Sequence, residues 1–221
     1  IVPTAKAKER ALAMGLRSEQ VRVVGMPVAE KFASASGSRA ELRARFGWPQ
    51  DRPVALLVGG GDGMGPLGQA VKAIDAAGLP VHLAVVCGRN QKLLADLNAH
   101  NLRLPHSLYG FVREMPAMMR AADVIVTKAG PGTISEAFIA GLPIILYSRL
   151  PGQEDGNVSY VVDEGAGVWA PEPARVVSTL SDWLAHPAAR ERVAAASSRL
   201  ARPQATRQIA RLLAEQVGLT K

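Results

Sequence analysis

The sequence predicts an α/β protein built on a doubly wound parallel sheet. Three observations predict it. Short apolar runs at residues 53–58, 81–86, 124–126 and 144–146 read as buried strands, and each is followed by a stretch with helical signals. The connections between these stretches are short. The turns at residues 59–65 and 130–132, which lead from strand to helix, are rich in glycine. Strands alternating with helices in this way form a parallel sheet covered on both faces.

The elements follow in chain order. Residues 1–4 read as the end of a strand, 9–16 as a short helix closed by Gly15, and 21–24 as a strand ended by Gly25-Met26-Pro27. Residues 33–38 are small and polar, a loop. Ser38 caps a helix over residues 39–46 with Glu41 at its third position, and Gly47-Trp48-Pro49 stops it. After the strand at 53–58, Pro66 suits the first turn of a helix over 67–77. The strand at 81–86 leads into the loop Cys87-Gly88-Arg89-Asn90 and a helix over 91–101. Residues 107–111 are a short strand and 116–121 a helix, and Asp123 opens the next strand. Thr133-Ile134-Ser135-Glu136 fits a capping box, so a helix should start there and end near Gly141, where Leu142-Pro143 stops it. A strand at 144–146, a polar loop at 151–157, a helix at 158–164 and a short strand at 168–169 come next. Helices over 172–184, 187–200 and 204–217 close the chain.

Composition narrows the function. The 221 residues suffice for one large domain, and 48% hydrophobic residues permit a full core. Cys87 is the only cysteine, which rules out a disulfide within the chain and a cysteine-rich metal site and suits a reducing cytosol. No apolar run approaches the roughly 20 residues of a membrane span. The first residue is Ile1 rather than methionine, so a fragment of a longer protein is expected. The net charge of +7 is unevenly placed: residues 1–48 carry +5, 49–189 carry −3 and 190–221 carry +5. A basic beginning and end suit either a solvated helix face or contact with an anionic membrane surface. Nucleic acid is not expected as a partner, because aromatics are only 5% and do not interleave with the basic residues.

Several stretches could carry chemistry. Five glycines stand within residues 59–65, between a strand and a helix. Such a loop either lets a phosphate or sugar approach the backbone or is merely a tight turn. Residues 63–68 match G-x-G-x-x-G, but the following strand ends at Cys87-Gly88-Arg89 without the acid that holds a dinucleotide ribose. The helix start near Thr133 lies at the carboxyl edge of the sheet, where backbone N–H groups and the helix dipole favour an anion. Glu136 has two readings, as a capping residue or as an acceptor for a ribose diol. Gln153, Glu154 and Asn157 crowd a glycine-containing loop and could bind sugar hydroxyls. None of the four histidines neighbours a glycine loop, and no Asp-x-Asp pair is present, so no metal and no separate cofactor are expected. No G-x-S-x-G nucleophile elbow is present.

Taken together, Gly130-Pro-Gly-Thr-Ile-Ser-Glu-Ala and Pro151-Gly-Gln-Glu-Asp-Gly-Asn resemble the nucleotide-sugar half of GT-B glycosyltransferases. More closely, they resemble glycosyltransferase family 28: the monogalactosyldiacylglycerol synthases, the processive diacylglycerol glycosyltransferases and the peptidoglycan N-acetylglucosaminyltransferase of lipid II synthesis. Val-Val-Cys87-Gly-Arg-Asn, Gly110-Phe-Val and Leu-Pro151-Gly-Gln-Glu are closest to the diacylglycerol branch. The resemblance spans about residues 21–168. It implies a Rossmann-like domain over residues 21–186, the C-terminal half of a GT-B enzyme. Residues 1–20 would then be the end of an N-terminal domain and its linker, and 187–221 helices packing back toward that domain. It implies UDP-galactose or UDP-glucose as donor, diacylglycerol as acceptor, transfer with inversion, and a cytoplasmic protein peripheral to the membrane. It also implies a donor site. Gly60, Gly61, Asp62 and Gly63 would face the diphosphate and sugar, with Arg89 nearby. Phe111 and the backbone of Val112 would hold the uracil, and Gly130, Gly132 and Thr133 the phosphate. Glu136 would take the ribose hydroxyls, and Gln153, Glu154 and Asn157 the sugar. The general base and the acceptor groove belong to the N-terminal domain in that family, so no catalytic residue is expected here and the chain alone should be inactive. Two other readings stay open: a stand-alone donor-binding subunit, as in the split N-acetylglucosaminyltransferase of dolichol-linked glycan synthesis, and a non-catalytic nucleotide- or NADP-binding module.

Overall fold

The structure, a computed structural model, describes residues 1–61 and 65–219. Its centre is a parallel sheet of six strands: β1 (Val54–Val58), β2 (His82–Val86), β3 (His106–Tyr109), β4 (Val124–Lys128), β5 (Ile144–Ser148) and β6 (Gly167–Trp169). The sheet order is β3-β2-β1-β4-β5-β6. The helices are α1 (Ala5–Ala13), α2 (Arg39–Phe46), α3 (Leu67–Ala77), α4 (Gln91–Ala99), α5 (Met115–Ala121), α6 (Pro131–Ala140), α7 (Asp155–Asp163), α8 (Pro173–Ala185), α9 (Pro187–Leu200) and α10 (Ala205–Gln216).

The inner strands carry apolar runs through their middles because both faces are covered. Side chains alternate between the faces. Leu56, Val58, Val86, Ile125 and Ile144 pack against Leu42 of α2, Met119 of α5 and Phe138 of α6. Leu57, Leu83, Val85, Val126 and Ile145 meet Val71 and Ile74 of α3, Leu97 of α4 and Leu180 of α8. Burying each such side chain fully contributes roughly 1.5–3 kcal/mol.

The chain runs from β1 outward through β2 and β3, then returns to lay β4 on the other side of β1. At that reversal the connections leaving β1 and β4 diverge, and a crevice opens at the carboxyl edge between them. The opposite edge is held by Asp123. Its carboxylate accepts from the backbone N–H of Val54 at 2.7 Å, from Arg39 at 2.8 Å, and from Arg43, whose Nε also donates to the Ala121 carbonyl at 2.9 Å.

Several boundaries are as the sequence predicts. In α2 the Ser38 hydroxyl accepts from the Glu41 N–H at 3.2 Å, Glu41 accepts from the Ser38 N–H at 2.7 Å, and Gly47 closes the helix at φ +67°. The helix at 187–200 and the one at 67–77 start and stop at the expected residues.

Four expectations need correction. Residues 21–24 form no strand; Val23 makes an isolated parallel bridge with Val2. The first helix starts at Ala5, because Thr4 caps it by accepting from Ala7 N–H at 3.1 Å. The helix expected to start at Thr133 begins at Pro131, with Gly130 as its N-cap and no side-chain cap. The helix expected from residue 158 begins at Asp155, so Asn157 lies in its first turn rather than in a loop.

At the C-terminus, α9 packs on α6 and α8. Thr206 ties α10 to the N-terminal stretch: its hydroxyl donates to the Val28 carbonyl at 2.6 Å and accepts from the Val28 N–H at 3.0 Å. Arg207 pairs with Glu30 beside it.

Candidate functional site

The site is built where five strands end on the same edge. The centre is the start of α6. Pro131 fills the first helical position, where its fixed φ fits and its missing N–H is no loss. The first intrahelical bond is Ile134 N–H to the Gly130 carbonyl, at 3.1 Å. The N–H groups of Gly132 and Thr133 therefore precede that bond and point out of the helix end. Among the described residues, nothing lies within 4 Å of where a Cβ on Gly132 would stand, so this end is open to a ligand. Such an end suits an anion. Glu136 stands one turn further along and does not cap the helix, which removes one of its two sequence readings.

Glu136 is half-buried. Burial pushes its carboxyl pKa above the ordinary value, and the charge of Lys31 draws it part of the way back. Lys31 also donates to the Arg113 carbonyl at 3.4 Å. Lys31 thus links the flank of α6 to the loop after β3. In that loop Phe111 is 56% exposed, Val112 is half-buried, and the Arg89 guanidinium lies 5.1 Å from the centre of the Phe111 ring. An exposed aromatic ring and a half-buried carboxylate on the same edge can face a base and its ribose.

On the other flank, Glu154 is 6% exposed at the start of α7. One of its oxygens accepts from the Leu150 N–H at 2.7 Å. The other lies 3.8 Å from where a Cβ on Gly130 would stand, so it faces the start of α6. Asn157 donates to the Ala129 carbonyl at 2.8 Å, which pins α7 to the turn before α6. Gln153 stands exposed on the turn between β5 and α7.

The glycine loop after β1 is keyed to the loop after β2. Gly59 N–H donates to the Val86 carbonyl at 3.2 Å and Arg89 N–H to the Gly61 carbonyl at 2.9 Å. Gly60 adopts φ +77° and Gly88 φ +62°. A Cβ on Gly88 would lie 2.5 Å from the Gly60 carbonyl oxygen and 2.6 Å from that of Gly61, so only glycine fits. Gly61 itself has open space where its Cβ would be. Asp62 and Gly63, also expected at the site, lie outside the described residues.

The structure thus brings Gly60, Gly61, Arg89, Phe111, Val112, Gly130, Gly132, Thr133, Glu136, Gln153, Glu154 and Asn157 to one edge of the sheet. Lys128, which ends β4 among them, is not among the residues expected from the sequence. Its Cε lies 3.3 Å from the Cβ position of Gly60. Its signal in the sequence is a single basic residue, one position past Thr127, after the apolar run at 124–126.

The histidines take no part. His82 and His106 begin their strands at the opposite edge; burial pushes the pKa of His82 down to about 4, and its Nε2 meets the Ser107 hydroxyl at 3.0 Å. Burial raises the Cys87 thiol to about 11, so it is not a thiolate nucleophile.

The glycosyltransferase family 28 C-terminal domain model matches residues 54–212. A probable monogalactosyldiacylglycerol synthase, chloroplastic, of Glycine max is 40% identical over 223 aligned positions, covering 97% of this chain and 42% of that protein. Monogalactosyldiacylglycerol synthase 1, chloroplastic, of Arabidopsis thaliana is 39% identical over 212 positions, covering 92% and 40%. The chain therefore spans about two-fifths of the length of these curated relatives. Among solved structures, the S. aureus MnaA-UDP co-structure superposes with a TM-score of 0.78 at 14% identity, over 100% of this chain and 61% of that one. That likeness is one of fold.

Proposed function

This chain belongs to the glycosyltransferase family 28 C-terminal domain family, and from that membership we propose that it is the donor-binding half of a glycosyltransferase moving galactose from UDP-galactose to diacylglycerol with inversion. The observation that carries this reading is the shared edge at the sheet's reversal. There the open start of α6 lies between Glu136 and the Phe111 loop on one flank and Glu154 and Asn157 on the other. The relatives' names favour galactose over the glucose of UDP-glucose.

Each part has a role in this reading. Phe111 and Val112 receive the uracil, with Arg89 over the ring, and Glu136 accepts from the ribose diol. The N–H groups of Gly132 and Thr133 hold the diphosphate, and Gly60, Gly61, Asp62 and Gly63 border it. The free oxygen of Glu154, with Gln153 and Asn157, takes the sugar hydroxyls. In the transfer, an acceptor hydroxyl forms a bond to the anomeric carbon while the bond from that carbon to the diphosphate oxygen breaks. The hydroxyl proton goes to a base outside this chain, in the N-terminal domain toward which residues 187–221 pack. UDP leaves with an added negative charge. Donors already aimed at that charge stabilise it without reorganising. The basic stretches at either end of the chain would face an anionic membrane surface, the source of the acceptor lipid.

Calorimetric titration of the chain with UDP, UDP-galactose, UDP-glucose and NADPH tests the reading. UDP and UDP-galactose should bind, NADPH should not, and the chain alone should transfer no sugar to diacylglycerol. Absence of UDP binding, or a preference for NADPH, overturns it.

A further inference from the structure

The geometry points to Lys128 as a further donor-binding residue, whose ammonium meets the diphosphate of the nucleotide sugar beneath the glycine loop. This rests on the donor reading above and adds to it a cation that would neutralise the leaving group.

Lys128 is the last residue of β4, at the reversal of the strand order. The four residues before it, Val124 to Thr127, are buried. Between Thr127 and Lys128 the register with β5 slips: Thr127 pairs with Leu146, but Lys128 pairs with Ser148, so Tyr147 is skipped. The extra residue lies in β5, so the ladder between the two strands is disrupted where Lys128 stands. The side chain of Lys128 runs under the loop that leaves β1. Its Cδ lies 3.5 Å from where a Cβ on Gly65 would stand, and its Cε and Nζ lie 3.3 and 3.6 Å from the corresponding point on Gly60. The lysine therefore runs along the glycine loop, within van der Waals reach of the Cβ positions of Gly60 and Gly65.

The ammonium offers three donors and no acceptor. Among the described residues, no carboxylate pairs with it and no carbonyl accepts from it. The other cation at the end of a neighbouring strand, Arg149, is already committed: it pairs with Asp155 and lies over the Trp169 ring at 5.1 Å. A half-buried cation without a counter-charge is unfavourable until an anion arrives. The anion the site is shaped for is the diphosphate. Its charge grows as the bond to the anomeric carbon breaks, so a fixed ammonium there acts on the transition state as well as on the bound donor.

A packing role is the competing account, since the lysine stem also fills the space under the loop. Two substitutions separate them. Lys128→Met keeps the stem and removes the charge; Lys128→Arg keeps the charge. Calorimetry on the 221-residue chain would measure UDP and uridine binding to each. The expected result for Lys128→Met is tenfold or greater loss of UDP affinity with uridine affinity unchanged, while Lys128→Arg retains most of the UDP affinity. Wild-type UDP affinity in Lys128→Met overturns the proposal. So does an equal loss for UDP and uridine, which would mark a collapsed loop. A wild-type chain that binds neither ligand overturns the donor reading itself, and this one with it.

Discussion

Glu136 shows how a short motif can be right about a residue and wrong about its job. The Thr-x-x-Glu spacing matched a capping box, but Pro131 sets the helix start two residues earlier, and a proline at the first helical position was the better signal. Freed from capping, the half-buried carboxylate is available to a ligand. Glu136→Gln should weaken uridine binding about tenfold, the difference between a charged and a neutral acceptor. The pH dependence follows from its raised pKa. Protonation removes the charged acceptor, so uridine affinity should fall as pH drops through a value above that of an ordinary glutamate, and Glu136→Gln should flatten the profile. Folding runs the other way. An acid whose folded pKa is raised costs stability when ionised; that cost shrinks as pH falls below the folded value and is gone below the unfolded one. Glu136→Gln should therefore melt no lower than wild type at neutral pH. Uridine affinity equal in the two proteins would remove Glu136 from the ribose site. Lys128 shows the converse limit: a lone basic residue at a strand end has no spacing pattern, and only the glycines across the crevice reveal where it points.

Among the elements, legibility tracked local chemistry. The second helix was readable to the residue because Ser38, Glu41 and Gly47 satisfy its ends within the segment itself. The central strands were readable because both faces are buried and the apolar runs are unbroken. Residues 21–24 carry the same apolar signal, but their neighbour contributes only Val2, so a single bridge forms. The loop after β5 is shorter than its sequence suggests, because Asp155, in the first turn of α7, looks like loop chemistry. Asp123 looked like a boundary residue and proves to be the clasp at the amino edge. It joins α2 to the first residue of β1, with its side chain only 8% exposed. Removing it strands the buried Arg43 and the Val54 N–H. Asp123→Ala should lower unfolding free energy by roughly 3–5 kcal/mol, read from urea denaturation. A loss below about 1 kcal/mol would show that Arg43 finds water instead.

For the whole molecule, the site was legible as a set because a parallel sheet sends every strand's carboxyl end to the same side. Five loops far apart in sequence therefore had to meet. The net charge of the termini was legible too, but not its disposition. Arg199 lies 3.6 Å from Glu164 and Arg207 pairs with Glu30, so part of the basic C-terminus is spent within the molecule. Arg190, Arg192 and Arg211 have no ion pair among the described residues. Each would contribute about 1 kcal/mol at an anionic surface, screened by salt. Co-sedimentation with phosphatidylglycerol vesicles should show binding that falls with salt and drops further when these three are changed to glutamine. Equal binding to neutral vesicles at every salt concentration would contradict it.

The strands that carry the site at one end carry the Asp123 clasp at the other, and five residues of extended chain hold the two about 16 Å apart. Sites so separated, with no shared partner, respond additively to mutation, within about 0.5 kcal/mol. A double variant, Asp123→Asn with Glu136→Gln, should take its folding stability from the first change and its uridine affinity from the second, with no cross-term in either. The two rims of the sheet would then be independently adjustable, so that a stabilised version of this domain could be made by working on the amino rim alone while nucleotide recognition at the other stays as it was.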